Sequence, residues 1–147
     1  MMTTITQSVT VDRRVEEVWD FIGDFENTTR WSPGVLEARQ TSDGPLGVGS
    51  TLQTVVRAFG RRRTADYLVT EYEPNHAFAF RVASGPMASR ARYSVEPAAA
   101  GARLTASGEV EAADLYKLLG PILVRTVKRH SEDDLATVKR ILEAPVA

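Results

Sequence analysis

The chain has no cysteine among its 147 residues, which excludes disulfides, thiolate nucleophiles and Cys-ligated zinc or iron–sulfur centres. Its two histidines, His76 and His130, lack the third and fourth partners that a metal site needs. No metal and no cofactor is expected. Charge of one sign is missing too: 18 Lys and Arg against 19 Asp and Glu leave a formal net charge of −1, so no overall field draws in nucleic acid or anionic lipid. The longest apolar stretch, Leu118 to Val124, is broken by Gly120-Pro121 and is far too short to span a bilayer. No stable membrane insertion is expected. Met1 to Val11 carries no basic segment followed by an apolar run, so no secretory signal is read and the cytoplasm is the expected location.

What is present is an ordinary globular composition, 43% hydrophobic and 25% charged, in a length that suits one domain with one core. No repeat, linker or low-complexity tail divides it, so residues 1–147 are expected to form a single domain. Ile5, Val9 and Val11 alternate with polar residues and predict a strand over 4–11. Asp12 is positioned as a helix N-cap before the stripe Val15, Val18, Trp19 and Ile22, and Gly23 ends that helix. Asp24 to Arg30 predicts a second short helical turn, stopped by Trp31-Ser32-Pro33-Gly34.

Strands follow over 35–41, 51–59, 64–73, 77–83, 89–96 and 103–111, all but the last closed by a turn containing Gly, Pro or Asn. Gly60-Arg61-Arg62 reads as a hairpin turn. Phe78, Phe80 and Val82 share one face, as do Ala91, Tyr93 and Val95, while Arg81, Arg90 and Arg92 take the other. Such alternation marks an antiparallel sheet covered on one side. In 51–59 and 64–73 it is blurred, because Val55-Val56 and Leu68-Val69 are adjacent apolar pairs. From Ala112 to Ala144 a helical stripe runs through Leu115, Leu119, Ile122, Leu123, Val127, Val138 and Ile141. About 30 residues at 1.5 Å each give a helix of roughly 45 Å, enough to cross the sheet. Pro121 near its start predicts a bend. The fold class is therefore α+β: a curved seven-stranded antiparallel sheet wrapped around a long C-terminal helix, with two short helices after the first strand.

The order of elements and three local patterns resemble the START-like, helix-grip proteins, and within them the polyketide cyclase/dehydratase and lipid-transport group. The patterns are Val18-Trp19-Asp20-Phe21-Ile22 through Trp31-Ser32-Pro33-Gly34-Val35; Gly47-Val48-Gly49-Ser50 with the later Thr70-Glu71-Tyr72-Glu73-Pro74; and Tyr93-Ser94-Val95-Glu96-Pro97 with Gly101, Arg103-Leu104-Thr105 and the closing helix. The resemblance implies a cavity between sheet and helix that takes up a mostly apolar small molecule. It does not choose between a carrier and an enzyme, since a shared fold does not fix chemistry.

Trp31 matches the family position near one end of that cavity, and Phe78, Phe80 and Tyr93 lie on the apolar sheet face, where they pack or line. Leu119, Leu123 and Val127 face them from the helix stripe. Trp19 reads as core. Tyr93 brings a hydroxyl that needs a partner when buried. Arg57 turned inward would anchor a carboxylate or enolate oxygen, and a buried Glu71 would have its pKa raised and serve as an acid. His130, with Asp134 one turn on, makes either an oriented acid–base pair or a half-exposed helix pair; His76 belongs to an exposed turn. Arg61-Arg62-Arg63 is too compact, and too poor in interleaved aromatics, for a nucleic-acid groove. Three readings stay open: binding or carriage of an apolar or amphipathic lipid, polyketide or aromatic metabolite, a cyclase or dehydratase using the same cavity, and an interaction module with a filled core. Nothing separates monomer from homodimer.

Overall fold

The computed structural model describes residues 2–58, 60–84, 89–111 and 120–144. All seven expected strands are present: β1 (Met2–Val11), β2 (Val35–Gln40), β3 (Thr51–Ala58), β4 (Arg61–Glu73), β5 (Ala77–Ser84), β6 (Ser89–Ala98) and β7 (Gly101–Glu111). The helices are α1 (Val15–Ile22), α2 (Thr28–Trp31) after a 3-10 turn at Phe25–Asn27, and α3 (Gly120–Glu143). The strands form one curled antiparallel sheet in the order β1-β7-β6-β5-β4-β3-β2. β2 to β7 are thus successive hairpin neighbours. β1 and β2 are opposite edges, and the chain between them, α1 to α2, must cross from one edge to the other. This is the α+β helix-grip architecture expected from the residue pattern.

Side-chain alternation gives the sheet one dry face. On β5 to β7 it holds without interruption: Phe78 opposes Tyr93, Tyr93 opposes Ala106, and Val95 opposes Leu104, with Phe78, Val95 and Leu104 buried. On β4 the pairing with β5 slips between Val69 and Glu71. One extra residue there moves the inward positions from Tyr67 and Val69 to Tyr72. That bulge reverses the alternation in the second half of β4. Below the dry face, α1 contributes Val18, Trp19, Phe21 and Ile22 to the main core, and α3 contributes Leu135 and Val138. Trp19 is core, meeting Phe78 edge-to-face at 6.0 Å and Tyr72 at 5.7 Å.

α3 packs on β1 and α2. Near its C-terminus Lys139 Nζ donates to the Thr10 carbonyl at 2.6 Å and to Glu143 at 2.9 Å, while the Asp12 backbone N–H donates to Glu143 at 2.8 Å. This corrects the expected cap. Arg14 occupies the N-cap of α1 without a capping side chain, because β1 runs to Val11 and leaves Asp12 too early to reach the first turn. Pro121 is the second described residue of α3, so the bend expected there falls at the limit of the described residues. A second correction concerns the three arginines. They belong to β4, with Arg62 opposite Arg57 and Arg61 opposite Ala58, and Arg62 pairs with Glu37 at 2.8 Å.

The β6–β7 hairpin closes at Gly101, whose φ is +128°, a region that side chains rarely enter. A Cβ there would collide with the Val11 carbonyl oxygen and come within 3.0 Å of the Arg13 amide nitrogen. Replacing Gly101 with Ala should therefore lower the unfolding free energy by about 1–3 kcal/mol, read as a lower urea midpoint. An unchanged midpoint would contradict this assignment of the β1–β7 corner.

Candidate functional site

The short helices carry the chain across the open side of the sheet, and they bury Phe25 and Trp31 over its dry face. The Asp24 carboxylate caps the 3-10 turn by accepting from the Glu26 amide at 3.1 Å. This buries Phe25. α2 then ends at Trp31, which is 4% exposed, and Ser32 turns the chain back through a bond from the Val35 amide to the Ser32 carbonyl at 2.9 Å. Between this arm and the sheet lies a chamber of about 250 Å³, walled by Phe25, Trp31, Thr54, Tyr67, Phe80 and Tyr93 among others. Its rings meet mainly edge-to-face: Phe25 and Phe80 at 5.9 Å, Tyr67 and Phe80 at 5.1 Å, Trp31 and Tyr93 at 5.8 Å. Edge-to-face packing leaves faces and edges of several rings open to the same space.

Trp31 and Tyr93 also wall a second chamber of about 210 Å³, lined on its other side by Ala106, His130, Ser131, Asp134 and Leu135. The Trp31–Tyr93 pair is thus a partition between an aromatic room under the sheet and a more polar one beside α3. Thr54 and Tyr67 satisfy each other, their hydroxyls 3.1 Å apart. The groups at the partition are less well served. The indole Nε1 of Trp31 is buried with no hydrogen-bond partner among the described residues. Asp134 accepts from the Ser32 hydroxyl through one oxygen, at 2.9 Å.

Two protonation states follow from burial. Burial pushes the Asp134 carboxyl up from its ordinary value; the Ser32 hydroxyl and His130 pull it down, and Asp133 adds a smaller push upward. Burial likewise pushes the Tyr93 phenol up, the Asp134 carboxylate and Tyr67 adding to the shift. Tyr93 therefore stays a neutral phenol at ordinary pH, a hydrogen-bond donor rather than a nucleophile or base. The arrangement is equipped to hold a flat apolar molecule against rings and to offer it a few neutral donors and one carboxyl.

Of the residues singled out from the sequence, Trp31, Phe80 and Tyr93 come together at the main chamber. Phe78 lies behind them, 2% exposed and stacked on Phe80 and Tyr93 at 5.8 and 5.4 Å, so it packs. Leu119 lies outside the described residues, as do the side chains of Leu123 and Val127. His130 is exposed at the outer wall of the second chamber, and His76 is exposed in its turn, 3.9 Å from Glu73. Two candidates are corrected. Arg57 is exposed and shares the outer face with Gln53 and Val55, since Leu52 and Thr54 are the buried residues of β3. Glu71 also lies on the outer face, displaced there by the β4 bulge, and binds Arg92 through both oxygens at 2.9 and 3.2 Å. The Arg92 guanidinium holds its carboxyl below the usual carboxylate range, the opposite of a buried acid. Phe25, Thr54, Tyr67 and Asp134 are wall residues that the sequence reading did not single out. Asp134 was visible there only as a partner for His130. Among the described residues no three His, Asp or Glu side chains are grouped to hold a metal ion, and no described helix is long and apolar enough to cross a membrane.

A family model described as polyketide cyclase/dehydrase and lipid transport matches residues 2–143. No curated protein matches the chain by sequence. Among solved structures it is similar to BexL, a di-domain ARO/CYC from the BE-7585A biosynthetic pathway, with 21% identity, a TM-score of 0.78, and coverage of 99% of this chain and 51% of BexL. It is similar also to the Zhui aromatase/cyclase from Streptomyces sp. R1128, with 19% identity, a TM-score of 0.78, and coverage of 97% of this chain and 94% of Zhui. Cgl2372 from Corynebacterium glutamicum, described as Polyketide_cyc-like, gives 22% identity and a TM-score of 0.62, with coverage of 97% of this chain and 93% of Cgl2372. The chain thus spans about half the length of the di-domain protein. At these identities the likeness is one of fold.

The raised Asp134 carboxyl makes a signed prediction. A carboxyl that holds its proton more tightly folded than unfolded lowers stability as pH rises through its titration, and the cost is complete above the folded pKa. Asp134→Asn, which keeps an acceptor for Ser32, should raise the melting temperature at neutral pH, and the gain should shrink as pH falls towards 4 (about the unfolded Asp pKa). A gain that does not change with pH would show that Asp134 is not the group concerned.

Proposed function

The chain belongs to the polyketide cyclase/dehydrase and lipid-transport family, and from that premise we propose that it binds or carries an apolar or amphipathic small molecule between the sheet and α3. The observation that carries this reading is the aromatic-walled chamber of about 250 Å³ at Phe25, Tyr67, Phe80 and the Trp31–Tyr93 pair. Burying an apolar ligand at roughly 25 cal/mol per Å² supplies affinity without special chemistry. A cavity of about 150 Å³ takes up benzene, so this one suits two fused rings or a folded chain of similar bulk. An open chamber in place of a filled core weighs against the interaction-module reading. The proposal places the protein in the cytoplasm, acting as one domain, as a monomer or homodimer.

One observation favours a second reading, turnover of the cyclase or dehydratase kind. Tyr93, alone of the three polar sheet candidates, belongs to the chamber wall. A neutral phenol there would donate to an enolate oxygen as a reactive chain folds, and orientation supplies much of such a rate enhancement. The similarity in fold to aromatase/cyclases is consistent with it.

Native mass spectrometry of the purified protein tests the first reading. It should show a bound apolar compound released by denaturation. Ala91→Phe, which places a ring in the main chamber from β6, should empty the protein while it stays folded. A load that survives this substitution would place the ligand elsewhere. Where turnover is found, Tyr93→Phe should reduce it by about 10²-fold or more and leave binding within a few-fold; equal loss of both would reduce Tyr93 to a packing residue.

A further inference from the structure

We infer that the second chamber, between the Trp31–Tyr93 partition and α3, is a subsite for a neutral hydroxyl group, and that the ligand is an aromatic body carrying one. The inference rests on the reading of the main chamber as a ligand site and specifies the chemistry of what enters it. Trp31 and Tyr93 wall both chambers, so a ring lying against Phe80 in the first would bring a substituent to the second.

The polar inventory of that second wall decides which substituent. The Trp31 indole N–H is buried and has no acceptor among the described residues. The Tyr93 ring is packed on three sides, by Trp31, Phe78 and Phe80. Asp134 gives one oxygen to Ser32, its other oxygen makes no hydrogen bond among the described residues, and the Ser131 hydroxyl stands on the same wall. The partition therefore needs a group that accepts from an N–H and donates to a carboxylate. A hydroxyl does both. An ether or ketone only accepts, and leaves the second Asp134 oxygen facing a lone pair. A carboxylate meets the Asp134 charge at close quarters, and no arginine answers it: Arg57, Arg81, Arg92 and Arg103 are exposed, and Arg90 belongs to the main chamber's wall but not to this one. His130, the one other ionisable group on the wall beside Asp134 and Tyr93, is exposed. A free acid is thus the disfavoured ligand, and a phenol of the same bulk the favoured one.

Calorimetric titration of the whole chain with four bicyclic probes tests this at about pH 8, where histidine is largely neutral. The probes are naphthalene, β-naphthol, its methyl ether and β-naphthoate. β-Naphthol should bind about tenfold more tightly than naphthalene and the ether, the scale of one charge-assisted hydrogen bond, and β-naphthoate should bind most weakly. Asp134→Asn, a residue of the second chamber only, should remove most of the naphthol advantage while leaving naphthalene binding within about threefold. Equal binding of naphthol and naphthalene, or preference for naphthoate, overturns the subsite and leaves the apolar cavity standing. Failure of all four probes to bind overturns the cavity reading itself. If a variant does not fold, the order of the four probes on the unaltered chain still decides the question.

Discussion

Seven strands about 4.8 Å apart make a sheet roughly 30 Å wide, whereas a helix with its side chains covers about 10 Å. The dry face of this sheet is therefore wider than any one element that can cover it. α3 is committed to one side, packed on β1 and α2 and fastened there by Lys139 and Glu143 against the Thr10 carbonyl and the Asp12 amide. Phe25 and its neighbours cover Leu52 and Val69 on the other side. The strip between them, along Phe80 and Tyr93, is met only by the ring edges of Phe25 and Trp31, and space remains there. The chamber is a consequence of that mismatch, made stable because the side chains bordering it are large rings that brace one another.

The same geometry explains why the polar groups of the site are few and why they sit at one place. A hydroxyl or carboxyl on the dry face needs a partner once water is excluded, and most of those present have one, as Thr54 and Tyr67 do. At the partition, where α2 ends and α3 passes, the Trp31 indole N–H is buried without a partner among the described residues, and Asp134 accepts from Ser32 through one oxygen. A buried polar group left unpaired costs about 1–3 kcal/mol, which a ligand hydroxyl in the second chamber would offset. The residues of the partition are thus better understood as half of a set of hydrogen bonds than as isolated defects.

Much of this architecture was legible in the residue pattern. The regular alternation of β5, β6 and β7 assigned Phe78, Phe80 and Tyr93 to the dry face correctly, because those strands pair in uninterrupted register there. The Gly, Pro and Asn punctuation located every strand to within a few residues. The losses have one local cause each. Glu71 reads from the sequence as a candidate acid, but a bulge in β4 turns it to the outer face, and a single chain does not announce a bulge. Arg57 was proposed as inward because Val55 and Val56 give no period, whereas Leu52 and Thr54 are the buried members of that strand. Asp134 was visible only as a neighbour of His130 along the helix; its role depends on Ser32, 102 positions earlier, and no spacing rule reaches that far.

The central claim is that Trp31 forms a ligand-contacting wall and Trp19 does not. The chain has two tryptophans, so a nitrogen-edited NMR spectrum carries two indole N–H signals, separable by the Trp31→Phe variant. Titration with β-naphthol is predicted to shift the Trp31 signal saturably and to leave the Trp19 signal in place, since Trp19 is closed in by Phe78 and Tyr72. A spectrum in which the Trp31 signal stays fixed at saturating ligand would contradict the account.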